Sequence, residues 1–386
     1  MDVKSSVEHI RCLLDNSKKP ILFFDSDCDG GMSYFQLKQV WKNLEGYPIN
    51  KSKSNQISCA EKIEADHDLV LFFDTPLIFE EVFEYAEGKK IVWVDHHPGN
   101  DLKLAKKYDV FHFNPVELDI RDSRPSCFWA YEIANSYDNL FRVAVGSVSD
   151  FYLLDVLKDF YEKKSEEFRV VFGLSDEKRE ELFSFLEKYD FKDESVRDKR
   201  ADWILYLTYE TRVGVFKQLF DFIYKMQVGV DRSLRMLSKM TPLEIVGEVG
   251  AGKGFLFEDF ASFSSKQKKH IKKAIEKNKT QEFVYYEHKG KTSYNRQISE
   301  ELSFRLKGSK CLECVFFKKG SDSVGISFRG RLGFVVNDII ELALEGLKGK
   351  GGGHPFAGGV HMSLEDFEIF QKRVNELVEK RLNGNF

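Results

Sequence analysis

The stretch Ile21–Gly31, ILFFDSDCDGG, runs four apolar residues into alternating aspartates, Asp25, Asp27 and Asp29, and closes on two glycines. Two further stretches repeat its opening: LVLFFDTP over 69–76 carries Asp74, and IVWVDHHPG over 91–99 carries Asp95, His96 and His97. Each apolar run is short and rich in branched and aromatic residues, which predicts a buried strand of a parallel sheet delivering carboxylates to one edge. In open α/β sheets ligands bind outside the carboxyl ends of the strands, so three acid-tipped strands predict one shared site. An extended backbone through 25–29 would send all three aspartates to one side, with Gly30 and Gly31 turning the chain sharply afterwards. Close carboxylates ionise together only when a cation neutralises them, and a divalent metal is the economical candidate.

A calcium loop is the rival reading, because D-x-D-x-D-G also opens an EF-hand. Its twelfth position falls on Gln36, where a bidentate Glu is required, and the preceding apolar run is strand-like. Oxygen ligands joined by one or two imidazoles suit manganese or magnesium instead, and two ions sharing an aspartate would form a two-metal hydrolysis site.

Composition sets the bounds. The 386 residues are 42% hydrophobic and 31% charged, enough for substantial cores in two or three domains. Six scattered cysteines and no charged-then-apolar leader predict a reduced, cytoplasmic setting, and no uncharged apolar run is long enough to span a bilayer. A net charge of −4 argues against a wholly cationic nucleic-acid binder but leaves room for a local basic groove. The segment KQKKHIKKAIEKNK, with Lys266, Lys268, Lys269, Lys272, Lys273, Lys277 and Lys279 against Glu276, reads as a basic helix face that is either solvated or tracks phosphates.

The expected fold class is α/β: a parallel-sheet domain, a helical middle segment and a smaller C-terminal α/β domain, with a cleft between. The expected divisions are 1–160 for the catalytic domain, 161–240 for a helical linker or insertion, and 241–386 for the substrate-binding domain, with a soft boundary near Thr241. Ser175 reads as a helix start and Pro242 as a break. Phe283–Tyr286, Cys311–Phe317 and Val324–Phe328 read as strands; 337–349 and 364–382 read as amphipathic helices, the first with Asn337 as its N-cap. The pair Cys311 and Cys314 is half a zinc site at most, on alternate faces of a strand. Cys28 reads as a packed thiol.

At the acidic clusters the chain resembles the DHH phosphoesterase family, and within it the RecJ-type nucleases. The family motif D-x-D-x-D-G-x-x-S matches Asp25, Asp27, Asp29, Gly30 and Ser33. Asp74 matches the second motif and Asp95-His96-His97 the third. Asp150, four residues after Gly146, matches the fourth, with Asp155 as the fallback. Near the C-terminus, GKGGGHPFAGG resembles the glycine-rich signature of the DHH-associated C-terminal domain, and ISFRG resembles its S-x-R element, pointing to Arg329. The resemblance covers roughly residues 20–150 and 280–362, and the middle carries none.

The resemblance implies Mn2+ or Mg2+, two ions in number. Asp27 and Asp74 would hold one, and Asp29, Asp74, His96 and Asp150 the other, with Asp25 a further ligand or a supporting partner. His97 would contact substrate or the leaving oxygen, or else support the ligands. Ser33, Arg329, Gly351, Gly352, Gly353 and His354 would bind substrate; glycine amides approach a phosphate closely, and an arginine adds a charge-assisted bond. Relatives that cleave pyrophosphate or short oligonucleotides carry a histidine where this chain has Phe23, which favours the RecJ-like branch. The length suggests the archaeal type. The expected function is therefore a metal-dependent hydrolase, an exonuclease acting on ends of single-stranded DNA or RNA by two-metal activation of water. The alternatives are a phosphodiesterase of short oligoribonucleotides, cyclic dinucleotides or phosphoadenosine phosphate, or a replication-complex scaffold with residual nuclease activity. The implied partners are single-stranded nucleic acid or short oligonucleotides, together with replication or repair proteins, and no membrane.

Overall fold

The computed structural model describes residues 2–97, 99–118, 122–188, 197–226, 230–252, 254–278, 283–290, 294–306, 311–318, 323–330, 335–354 and 357–384. They divide into two compact units, Met1–Phe260 and Ala261–Phe386. No described helix is long and apolar enough to cross a membrane.

The first unit is built on strands β1 (Pro20–Asp25), β2 (Glu45–Ile49), β3 (Leu69–Phe73), β4 (Lys90–Val94) and β5 (Phe111–Phe113). All pair in parallel, in the order β2-β1-β3-β4-β5. An opening helix, α1 (Val3–Asn16), precedes the sheet, and α2 (Cys28–Val40), α3 (Lys53–Ala60), α4 (Glu80–Tyr85) and α5 (Leu102–Lys107) form the crossovers that parallel pairing requires. Both faces of the central strands are covered. Phe23 and Phe72 stack on one face with Phe83 edge-on, while Phe24 stacks on Tyr34 of α2 on the other. Each such ring contributes about 1.5–3 kcal/mol by its burial. The three runs read as strands are β1, β3 and β4, and the edge strands β2 and β5 are additional.

The chain then becomes helical: α6 (Ser126–Ala134), α7 (Leu140–Ser149), α8 (Val156–Lys163), α9 (Ser165–Phe172), α10 (Asp176–Lys188), α11 (Arg197–Glu210), α12 (Val213–Met226), α13 (Val230–Leu237), α14 (Pro242–Ala251) and α15 (Phe255–Lys277). Ser175 accepts from the Lys178 N–H at 3.2 Å and starts α10, as its sequence suggests. The middle is more than a linker, because Phe220 of α12 packs on Phe35 of α2 and Phe216 on Phe141 of α7. Thr241 is the N-cap of α14, with a complete capping box and Pro242 in the first turn. The position read as a domain boundary is thus a helix start inside the first unit, and the division between units falls within α15.

The second unit holds β6 (Phe283–Gly290), β7 (Cys311–Lys318), β8 (Ser323–Gly330), β9 (Lys350–His354) and β10 (Ala357–Ser363), ordered β6-β7-β8-β10-β9. Only β6 and β7 pair in parallel. Helices α16 (Asn295–Arg305), α17 (Val336–Leu344) and α18 (Leu364–Leu382) complete it, with Phe328, Ile340, Val360 and Phe370 in the core. One reading is corrected: Asn337 is the second residue of α17, whose N-cap is Val335 without a side-chain bond. The glycine run 351–353 forms the edge strand β9.

Candidate metal centre

The strand order reverses at β1, so the crevice between the carboxyl ends of β1 and β3 is the switch point where ligands bind in such sheets. Asp25 ends β1 and Asp74 directly follows β3. Asp74 adopts a left-handed φ of 59°, a conformation disfavoured for a residue with a Cβ and concentrated at functional sites.

The first acidic cluster is not an extended run. Asp27 is the N-cap of α2, its Oδ1 accepting from the Gly30 N–H at 3.1 Å, and Asp29 lies in the first helical turn. The two glycines make no sharp turn after the cluster, because both lie inside α2. A side chain at Gly30 would strike the Asp25 carbonyl, and one at Gly31 would come within 2.5 Å of the Phe220 ring and 2.7 Å of the Tyr224 hydroxyl. Helix α12 therefore requires the second glycine, a contact no local motif announces.

The turn at Asp27 sorts the ligands into overlapping groups. Asp25, Asp27 and Asp74 bring one oxygen each within 4.8 Å of one another, as do the donor atoms of Asp29, His96 and Asp150, and those of Asp74, His96 and His97. His96 Nε2 stands 3.2 Å from Asp74, 3.6 Å from Asp150 and 3.8 Å from Asp29. Its other nitrogen, Nδ1, faces the Ser123 carbonyl at 3.2 Å; a carbonyl only accepts, so Nδ1 carries the proton and Nε2 presents its lone pair. That lone pair is buried, has no hydrogen-bond partner and faces three carboxylates, an arrangement a divalent cation fits. Asp29 is held rigidly, its two oxygens accepting the Ser126 and Cys127 N–H groups at 2.8 Å where α6 begins. Sequence reading passed over Ser126, whose hydroxyl also approaches Asp74 at 3.4 Å.

Without a cation these acids suppress one another's ionisation. Burial, reinforced by the charge of Asp27, pushes Asp25 up to about 7. Burial does the same to Asp150, also to about 7, with Asp29 and Asp27 adding to it against His96. Burial and the four other aspartates raise Asp74 well above its ordinary range. Asp95 behaves in the opposite sense: burial raises it, but its 2.8 Å bond to His97 Nδ1, the charges of the two imidazoles and the Asn100 bond together outweigh this and hold the carboxyl below the usual value. A fourth acidic group, Glu64, Asp66 and His67, is exposed at its carboxylates and neutralised by Lys19, 2.5 and 2.9 Å away.

Residues 282–380 match the DHHA1 domain family. Across 98% of the chain the fold superposes on the Mn2+ complex of RecJ from Thermus thermophilus, with 15% identity and a TM-score of 0.63, covering 54% of that protein. This is a RecJ-like DHH fold with a DHHA1 domain. It is also similar to an exonuclease RecJ bound to manganese (12% identity, TM-score 0.58, 98% of this chain and 94% of that one) and to CDC45 from Entamoeba histolytica (12%, 0.53, 97% and 98%). The chain thus spans about half the length of the Thermus protein and nearly all of the other two. A search of curated protein sequences finds no match.

In the first unit, Asp150 rather than Asp155 joins the clustered groups that could hold an ion, capping α7 with its N–H on the Gly146 carbonyl at 3.0 Å. Ser33 is fully buried and donates to the Asp29 carbonyl at 3.0 Å, so it steadies the turn rather than facing substrate. Burial raises the Cys28 thiol, in keeping with packing. In the DHHA1 unit, Arg329 on β8 pairs with buried Glu300 at 3.1 Å and donates to the Phe328 carbonyl at 2.7 Å. A side chain at Gly351 would meet Val360 at 2.7 Å, so this glycine admits close packing, whereas a Cβ at Gly352 would enter open space. Gly353 and His354 close β9, and Cys311 and Cys314 lie on β7.

Proposed function

We propose that this chain is a divalent-metal-dependent phosphodiesterase of the RecJ-like exonuclease type, removing nucleotides from the ends of single-stranded DNA or RNA. The observation that carries the reading is the partnerless His96 Nε2 among Asp29, Asp74 and Asp150, beside a second acidic group that shares Asp74. When bound, a pair of Mn2+ or Mg2+ ions supplies an activated water and neutralises phosphoryl charge. Asp27 and Asp74 would hold one ion; Asp29, Asp74, His96 and Asp150 the other, with Asp25 beside the first. Asp29 and His96 are oriented in advance by the α6 N–H groups and the Ser123 carbonyl, so little reorganisation accompanies loading. His97, tied through Nδ1 to Asp95, offers Nε2 to the substrate or the leaving oxygen.

In the DHHA1 unit the reading assigns Arg329, the backbone of Gly351–Gly353 and His354 to the nucleotide end. The exposed lysines 266, 268, 269, 272, 273 and 277 line one side of α15 while Phe263, Ile271 and Ala274 are buried on the other, which supports a backbone-tracking face. Lys279 lies outside the described residues. An archaeal-type, cytoplasmic enzyme working with replication or repair proteins is the setting this reading favours.

The test is a Mn2+-dependent time course on end-labelled single-stranded DNA, single-stranded RNA and a dinucleotide, with 5′ and 3′ labels in parallel. Stepwise shortening of the long strands supports the exonuclease and gives its polarity. Cleavage of the dinucleotide alone moves the chain to the small-substrate phosphodiesterases, and no cleavage of any substrate defeats the reading.

A further inference from the structure

Beyond the acids, a continuous run of side-chain hydrogen bonds leads from His97 to the edge strand β5. Its first members are deeply buried: Asp95 is 0% exposed, Asn114 1% and Asn100 7%. Asp95 Oδ1 meets His97 Nδ1 at 2.8 Å, and Asp95 Oδ2 accepts from Asn100 Nδ2, also at 2.8 Å. The same amide nitrogen donates to the Pro76 carbonyl at 3.2 Å. Both partners only accept, so the Asn100 amide has one orientation and its Oδ1 is the acceptor end. That oxygen lies 2.7 Å from Asn114 Nδ2 and 2.9 Å from His112 Nε2, which therefore carries the His112 ring proton.

The supports of Asn100 are themselves held. Asn114 Nδ2 donates as well to the His97 carbonyl at 2.6 Å, and its Oδ1 accepts from the Val116 N–H at 3.1 Å. Glu117 Oε1 accepts from the backbone N–H groups of Gly99 and Asn100, both at 3.2 Å. His112 pairs with Trp93 in the β4–β5 register and packs edge-on against its ring at 5.1 Å. Burial lowers the His112 pKa, in keeping with a neutral ring that has a single proton to place. All the polar side-chain atoms of Asn100 are thus matched, and none of its contacts is to a metal-group residue.

We propose that Asn100, clamped by His112 and Asn114, is a positioning residue: it holds the Asp95 carboxylate in the rotamer that fixes the Nδ1–H tautomer of His97 and aims Nε2 at the reacting phosphodiester. The proposal rests on the hydrolase reading above. Its physics is that of any carboxylate-held histidine, where the partner of one ring nitrogen decides what the other can do. Removing Asn100 leaves Asp95 Oδ2 buried without its donor, and the carboxylate no longer has a single preferred rotamer.

The test combines nitrogen-resolved NMR of the His97 ring in the metal-free protein with Mn2+-dependent turnover of end-labelled single-stranded DNA. The proteins compared are wild type, Asn100→Ala, His112→Phe and His112→Gln. The wild type is expected to show one tautomer, protonated at Nδ1. Asn100→Ala and His112→Phe should mix tautomers and lower kcat by about 10–100-fold, with KM changed by less than about threefold. His112→Gln keeps an N–H at the Nε2 position, and it should restore the single tautomer and return kcat to within about threefold of wild type. A folded Asn100→Ala protein with the wild-type tautomer and kcat overturns the proposal, as does His112→Gln as impaired as His112→Phe. If Asn100→Ala does not fold, the His112 pair decides alone. If wild type turns over no substrate, the hydrolase reading has failed, and the tautomer comparison still decides the positioning role.

Discussion

The acid-tipped edge of the first sheet and the glycine-rich edge of the second are both rich in family motifs, yet they are built on different physics. At the first edge, charge is concentrated: Asp25 and Asp74 stand at the ends of central strands, and the fold tolerates their crowding only as far as protons or a cation relieve it. At the second edge, side-chain bulk is removed. Gly351 lets Val360, Leu344 and Ile340 close over β9, and Gly358 lets Ile340 close over β10. A motif aspartate in this chain therefore marks crowded charge, whereas a motif glycine marks close packing first, with Gly352 the described position of β9 left open.

The largest effect that would break this contrast is at Asp74. Asp74→Ala should abolish hydrolysis while leaving the far-ultraviolet circular dichroism unchanged, because it removes the shared ligand and no core contact. Arg329→Ala should weaken binding of a single-stranded end by about 1.5–3 kcal/mol if the guanidinium makes a charge-assisted phosphate contact. Fluorescence anisotropy measures it, and unchanged affinity would confine Arg329 to its pairing with Glu300. Gly31→Ala and Gly351→Ala test the packing side. Each should cost about 1–3 kcal/mol in urea unfolding by overpacking, and a neutral result at Gly31 would show that α12 does not press on α2.

A graded effect, spread over pH, tests the acidic edge without any substitution. Asp25 and Asp150 sit near 7 in the ion-free fold, so between the ordinary carboxylate range and 7 the folded chain binds more protons than the unfolded one. Stability without metal should then fall as pH rises through that window and level off above it. Saturating Mn2+ should flatten the curve; urea midpoints at pH 5, 6, 7 and 8, with chelator and with Mn2+, check both statements.

What was legible in the sequence follows from the same contrast. The central strands β1, β3 and β4 announce themselves because burial on both faces demands unbroken apolar runs, and α18 because its amphipathic period is regular. Of the strands that escaped reading, β2, β5 and β9 lie at sheet edges, while β10 lies inside the second sheet. β2 carries Gly46 and Pro48, β5 is three residues long, and β9 is mostly glycine, compositions that edges tolerate and local propensity does not report. Asp25, Asp27, Asp29, Asp74, His96 and Asp150 were legible as types at strand or helix ends, but their sorting into two groups came only through the family resemblance, because spacing alone does not show that α2 starts at Asp27. Asn100, His112 and Ser126 were invisible for another reason: their partners lie 5, 12 or 97 residues away, and a neutral side chain has no local signature of a distant bond.

The central claim is that the two acidic groups sharing Asp74 hold divalent ions, and isothermal titration of Mn2+ into the metal-free protein tests it most directly. Stoichiometric binding by wild type, with proton release on loading and loss of binding in folded Asp74→Ala, is the predicted result. Absence of binding by wild type, or equal binding by Asp74→Ala, would contradict it.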